Sequence, residues 1–186
     1  LMGMYILNDR FINKDKTLAI RLLEEAYDFH NIYAANYLGK YYYYANDENS
    51  SVEKAIEWYE KAIAYYSEAA AYNISLIYLY NKGDYKDYEK GVKYLDIAIE
   101  DGHARAHSEK AYLYIDHGDF EQNIPYAKEL LEKAMELGDD WAPYRLGRAY
   151  QNREFQEEPD YEKALELYVE AANRGHVYGM ELAGRY

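Results

Sequence analysis

Asp139-Asp140-Trp141-Ala142-Pro143-Tyr144-Arg145-Leu146-Gly147-Arg148-Ala149-Tyr150 is followed by a polar stretch, Gln151 to Glu158. Then comes Pro159-Asp160-Tyr161-Glu162-Lys163-Ala164-Leu165-Glu166-Leu167-Tyr168-Val169-Glu170-Ala171, running on to Gly175. These residues read as a helix, a turn and a second helix. Asp139-Asp140 can cap the first helix, and Pro143 falls in its opening turn, where a missing N–H does no harm. Leu146 and Tyr150 are four apart and share a face, and Gly147 lets another helix approach closely. Asp160 stands where a second N-cap is wanted. Ala164, Leu167, Tyr168 and Ala171 then recur at helical spacing until Gly175, which suits a left-handed C-terminal cap.

Working outward, the same pattern repeats along the chain. Tyr42, Tyr78, Tyr114, Tyr150 and Tyr186 stand 36 residues apart. Asp15, Ser51, Asp87, Asn123 and Asp160 keep steps of 36, 36, 36 and 37, and all five are N-capping types. Ala26, Ala62, Ala98, Ala134 and Ala171 keep the same steps. A fixed period of this size predicts an all-α solenoid of antiparallel helix hairpins, about 36 residues each, whose apolar faces are buried only by stacking. Complete repeats are expected at 31–66, 67–102, 103–138 and 139–175, with partial repeats at 1–30 and 176–186, all in one array. The connecting loops are Ala45–Ser50, Asn81–Lys86, His117–Gln122 and Gln151–Pro159. Met2-Gly3 and Ile6 fit the pattern of a first helix, so the chain is expected to be a segment of a longer array.

Composition narrows the function classes. The chain has 186 residues, no Cys and a net charge of −13. Without Cys there are no disulfide staples or thiolate metal sites, and a reducing, cytoplasmic compartment is favoured. The acidic balance disfavours nucleic acid as a partner. No apolar run is long enough to insert in a membrane, and Leu1-Met2-Gly3-Met4-Tyr5 lacks a basic leader. Tyrosine is abundant, at 26 residues against 4 Phe and 2 Trp. The tyrosines on the 36-residue beat read as core packing; those off it are candidates for recognition.

The pattern Ala-x-Tyr-x-Leu-Gly-x-x-Tyr, a loop, then Asp-x-x-Lys-Ala-x-x-Trp-Tyr-x-Lys-Ala-x-x-x-Gly resembles the Sel1-like repeat family, a branch of the tetratricopeptide-type helical repeats. Its first half stands at Ala142 to Tyr150 and again at Ala34-Ala35-Asn36-Tyr37-Leu38-Gly39-Lys40-Tyr41-Tyr42; its second half stands at Ser51 to Ala62. There are departures. His30 and Tyr66 occupy the place of the helix-ending Gly, so those two turns are expected to close differently from those at Gly102, Gly138 and Gly175. Lys110 stands where the family has Leu, Ser75 where it has Gly, and the usual Gly-x-Gly loop is replaced. The resemblance implies a right-handed superhelix that serves as an adaptor assembling protein complexes.

In the related tetratricopeptide repeats the first helices line the concave face. Carried over, that face would present Tyr33, Ala69, Arg105, Trp141 and Tyr178; then Asn36, Tyr72, Ser108, Tyr144 and Glu181; then Lys40, Leu76, Tyr112, Arg148 and Arg185; and last Tyr43, Leu79, Ile115 and Gln151. Lys40, Arg105, Arg148 and Arg185 stand there against Glu181 alone, so an aromatic and basic groove is expected inside an acidic protein. It would bind a peptide or protein segment of acidic character, with Arg148, Tyr144 and Trp141 as its main anchors. The alternatives are a self-associating structural solenoid stacking end to end, and a regulatory repeat domain of a larger protein. No enzyme chemistry is expected: the carboxylates follow the repeat beat, and no nucleophile–base constellation declares itself. No cofactor is expected either. His103 and His107 have a metal-compatible spacing, but His103 shares its column with His176 and reads as a repeat feature. The triplets at Asn49 and Asn73 read as chance matches to the glycosylation pattern.

Overall fold

A computed structural model describes residues 16–45, 50–65, 67–81, 84–116 and 121–185. The described residues form ten helices and no strand: α1 Lys16–Asp28, α2 Ile32–Tyr44, α3 Val52–Ile63, α4 Glu68–Tyr80, α5 Tyr88–Glu100, α6 Ala104–Asp116, α7 Ile124–Glu136, α8 Trp141–Gln151, α9 Tyr161–Asn173 and α10 Val177–Ala183. None is long and apolar enough to cross a membrane. The N-terminal segment with Met2-Gly3, Ile6 and Asp15, the Tyr66 turn and Tyr186 lie outside the described residues.

The chain divides after Gly102, at a repeat boundary, into two compact units. In the first, α2 packs on α3 and α4 on α5; α3 joins the two hairpins, α1 packs on α2, and α2 touches α4. In the second, α6 packs on α7 and α8 on α9; α7 joins the hairpins, α10 packs on α9, and α6 touches α8. Each unit has its own core. Leu23, Leu38, Tyr42, Tyr59, Ile74 and Ile77 are buried together in the first. Ala111, Leu130, Leu131, Leu146 and Leu167 are buried together in the second.

The two commonest sequence columns meet in one structural device. The backbone N–H of each N-cap residue donates to the carbonyl of the periodic tyrosine before it: Ser51 to Tyr42 (2.9 Å), Asp87 to Tyr78 (2.8 Å), Asn123 to Tyr114 (3.1 Å) and Asp160 to Tyr150 (3.1 Å). The same cap side chains accept from the N–H three residues on, at Lys54, Lys90, Tyr126 and Lys163. That third residue often turns back over the tyrosine ring. Lys54 Nζ lies 5.2 Å from the Tyr42 centroid, Lys90 Nζ lies 5.3 Å from that of Tyr78, and Tyr126 packs edge-on against Tyr114. The residue that ends each loop is thus tied to the tyrosine that precedes it, which explains why cap and tyrosine share a period. Tyr42 is buried, whereas Tyr78, Tyr114 and Tyr150 are half-buried, so this column clasps the loop as much as it fills the core.

The short turns between hairpins also repeat. At Gly138 and Gly175, φ is +91°. The N–H of Gly138 bonds to Met135 and that of Asp139 to Ala134; Gly175 bonds to Ala172 and His176 to Ala171. This is the paired Schellman closure. His30 closes the turn after α1 in the same way: φ is +64°, and His30 and Asn31 donate to Tyr27 and Ala26. The expected difference is therefore absent there, because the bonds are made by backbone and His is among the residues that tolerate the left-handed region.

Helix pairing within a hairpin depends on matched sizes. A Cβ added at Gly39 would lie 2.6 Å from the Tyr59 ring, and one at Gly147 would lie 2.7 Å from Tyr168. Tyr59 and Tyr168 are the largest fully buried side chains described, and burial pushes the Tyr59 phenol well above its ordinary range. In the two central hairpins the tyrosine's place is taken by Leu95 and Leu131, and the glycine's by Ser75 and Ala111. The departure at Ser75 is thereby accounted for: a smaller partner leaves room for a larger residue.

Candidate functional site

The residues of the expected face fall in both units. In the first unit Tyr33 is 67 % exposed and Lys40 is also exposed. Asn36 is tied to the next hairpin, accepting from Asn73 Nδ2 at 3.0 Å. Asn73 is thus a half-buried helix residue in a bond between hairpins, in keeping with a chance triplet match. Tyr72 is half-buried, and its carbonyl takes a bond from Ser75 Oγ at 2.6 Å. Leu79, expected to face inward, is buried, since α5 passes so closely that a Cβ on Gly91 would lie 2.6 Å from the Leu79 side chain. Tyr44 is 64 % exposed and packs edge-on against Tyr43 at 4.8 Å, while Tyr41 lies against Tyr42.

The second unit draws most of the expected residues together. Trp141, at the start of α8, contacts Tyr144 at 6.0 Å, His176 at 4.7 Å and Tyr178 at 6.5 Å between ring centroids. Tyr144 stacks on His176 at 4.6 Å. Arg105 lies 4.9 Å from the Trp141 ring and Arg145 lies 5.5 Å from it, with Arg145 also 5.1 Å from Tyr112. Arg148, one turn further along α8, is exposed and forms no ion pair among the described residues. A cleft of about 40 Å³ opens between Tyr112, Ile115, Arg145, Arg148 and Glu154. That is room for a few waters or one small polar head group.

The charges differ from the expectation. Arg105 is not a free groove cation: its Nε donates to Asp139 at 3.1 Å and its guanidinium to Asp140 at 2.8 Å. Asp140 therefore makes no side-chain cap bond to α8, contrary to the sequence reading. Asp139 is buried, taking a second bond from Ser108 Oγ at 2.5 Å. Ser108, expected on the face, is wholly buried by that bond, and Ile115 is also buried, as the floor of the cleft. Arg185 is held by Glu181 one helical turn away. Of the four expected groove cations, Arg148 and Lys40 remain without carboxylate partners among the described residues.

Sequence reasoning missed Arg145. It pairs with Glu109 at 3.0 Å, donates to the Ser108 carbonyl, and packs against Tyr112 and Trp141. Asn73–Asn36 and Arg145–Ser108 are the same tie in the two units, each spanning 37 residues. The signal lay one position off the 36-residue columns. Among the described residues no cluster of His, Asp and Glu could hold a metal ion. His107 instead directs its Nδ1 at the His103 carbonyl, 3.3 Å away. Burial pushes the His107 imidazole below its ordinary value, and the Lys133 and Lys110 ammoniums add to that.

The sequence matches the family model of the Sel1 repeat over residues 1–28, 32–64, 68–103, 111–139 and 142–176. No curated protein matched it. Among solved structures, a Sel1 repeat protein from Oxalobacter formigenes superposes with a TM-score of 0.82 at 24% identity, over 99% of this chain and 75% of that one. The protective antigen c5321 of uropathogenic Escherichia coli, described as displaying an SLR fold, gives 0.73 at 23% identity, over 86% of this chain and 34% of its own. The immunity protein Pa5087 of Pseudomonas aeruginosa gives 0.62 at 20% identity, over 87% and 59%.

Proposed function

The chain belongs to the Sel1 repeat family, and we propose that it binds an acidic segment of a partner protein on the first-helix face of its second unit. Sel1 repeat proteins are generally scaffolds for protein–protein interaction, and their all-helical solenoid supplies surface rather than reacting groups. The observation that carries the proposal is Arg148. It is exposed, has no carboxylate partner among the described residues, and stands at a cleft beside Tyr112 in a chain of net charge −13. An acidic protein has many carboxylates with which to neutralise its arginines, and those of Arg105, Arg145 and Arg185 are so neutralised. Arg148 therefore stays available to a carboxylate brought by a partner, and Trp141, Tyr144 and Tyr178 offer the adjoining aromatic contact area. Tyr33, Asn36, Lys40 and Tyr72 provide a second stretch of first-helix surface in the first unit.

The test is binding of fluorescent acidic, neutral and basic peptides to the wild-type chain and to Arg148→Ala and Arg148→Glu. A charged hydrogen bond is worth about 1.5–3 kcal/mol, so the alanine variant should weaken acidic-peptide binding by roughly 10- to 100-fold, and the glutamate variant by more. Arg148 is exposed, so both variants should keep their thermal stability. Acidic-peptide binding that is equally tight in all three chains would overturn the proposal.

A further inference from the structure

His176 occupies a position no surface histidine would take. It is 3 % exposed and stands at the N-cap of α10, where its Nδ1 accepts from the Gly179 N–H at 3.1 Å. A backbone N–H can only donate, so this Nδ1 carries no proton and the ring is the neutral tautomer with hydrogen on Nε2. That Nε2 is buried and has no hydrogen-bond partner among the described residues. Trp141 lies edge-on to the ring at 4.7 Å, and Tyr144 is stacked on it at 4.6 Å.

We propose that His176 is a proton-operated latch: in its neutral form it holds α10 against α8 and α9, and its protonation releases that helix. The geometry supplies the mechanism. A proton added to Nδ1 removes the acceptor of the cap bond and sets two N–H groups against each other. It also places a cation in an apolar slot with no acceptor at Nε2. The charged neighbours do not rescue it. Asp139 and Asp140 face it from the turn before α8, but both are engaged by Arg105 of α6. Arg145 faces it from α8, and Arg174, in the turn before α10, is spent on Glu170 and on the carbonyls of Met135 and Asp139. Tyr144 and Tyr178 are the titratable groups touching the ring, through ring contacts at 4.6 and 5.9 Å. Burial pushes the imidazole below its ordinary 6.5, Asp140 and Asp139 oppose that, and Arg105 and Arg145 reinforce it.

α10 meets α9 through Gly179, where a Cβ would lie 2.6 Å from Ala171, so the two helices touch close to the turn that His176 caps. Because the folded-state value is depressed, the latch contributes fully above the unfolded value of 6.5 and is lost as pH falls through the folded value. The inference does not depend on what the face binds, although release would rearrange Tyr178 beside Trp141 and Tyr144.

Hydrogen exchange of residues 177–184, corrected for the intrinsic pH dependence of exchange, tests it. Between about pH 7.5 and about pH 5, protection in α10 should fall severalfold in the wild type while α7 keeps its protection. His176→Asn retains a side-chain oxygen for the Gly179 N–H and has nothing to titrate, so its α10 should show the same protection at both pH values. A wild-type α10 with unchanged protection, or an Asn variant losing as much as the wild type, would overturn the latch. Should the variant not fold, nuclear magnetic resonance titration of the wild-type imidazole decides: a value at or above the ordinary histidine pKa sinks the proposal.

Discussion

At the residue scale the turn at His30 is informative, because it separates what a position needs from what usually fills it. Gly102, Gly138 and Gly175 sit at φ of +88°, +91° and +91°, where an L side chain is strained; His30 sits at +64° in a turn with the Schellman bonds of the Gly138 and Gly175 turns. The backbone bonds are retained, and the strain is stored in one exposed residue. An L-residue in this region costs about 1–2 kcal/mol, and glycine returns part of that through its greater unfolded-state freedom. His30→Gly should therefore stabilise the chain by about 0.5–1 kcal/mol, read as a higher urea midpoint at unchanged slope. A lower midpoint would mean that the imidazole makes a contact worth more than the strain. Residue identity alone could not reveal this, since the sequence shows a missing glycine but not whether the backbone bends regardless.

At the element scale the hairpin is held by its caps, and the caps can be separated by chemistry. Asn123 and Asp87 occupy the same column, accept from the N–H of Tyr126 and Lys90 respectively, and offer their own N–H to Tyr114 and Tyr78. Asn123→Ala removes one neutral side-chain acceptor, which should cost about 1 kcal/mol at any pH. Asp87→Ala should also destabilise, but only while the carboxylate is ionised. The Lys90 N–H bond holds the Asp87 carboxyl below its ordinary value of 3.8. Its contribution is therefore present above that value and lost as pH falls through the folded one. Urea midpoints of the two variants against wild type, followed from neutral to acid pH, should show the Asp87→Ala gap narrowing and the Asn123→Ala gap holding. A parallel response of the two would show that capping here is not electrostatic. The periodic caps were legible because each recurs at a fixed interval ahead of an apolar helix, and so were the helices and the order in which they pack within each unit. The site was less so. Ser108 and Asp139 vanish into a buried bond, Arg105 is cancelled by carboxylates 34 and 35 residues away, and Arg145 ties to positions 36 and 37 residues back. Columns drawn at one constant step align equivalent positions; they do not register bonds that run diagonally between neighbouring helices.

At the scale of the whole molecule the dominant quantity is charge. Thirty-four acidic residues against 21 basic ones give −13, while exposed pairs such as Arg21–Glu25, Lys133–Glu136 and Lys163–Glu166 lie at 3.6, 2.9 and 2.8 Å. Added salt acts on both in opposite directions, and distance decides which wins. The screening length falls from about 30 Å at 0.01 M to about 8 Å at 0.15 M. Repulsion between carboxylates spread over the surface acts across distances in that window and is largely removed. Pairs in contact lie well inside it, and exposed ones contribute only about 0.2–1 kcal/mol each before any screening. Net self-repulsion should therefore be the larger loss, and sodium chloride over that range should raise the urea midpoint without changing its slope. An acidic segment at Arg148 should respond in the same sense, because salt removes its long-range repulsion from the other carboxylates more than it weakens the contact with one cation. The two measurements belong in one titration series: a fold and a complex both strengthened by salt would fit repulsion spread over the surface and attraction confined to the cleft. Salt that destabilises the fold would show instead that local ion pairs, not net charge, govern this chain.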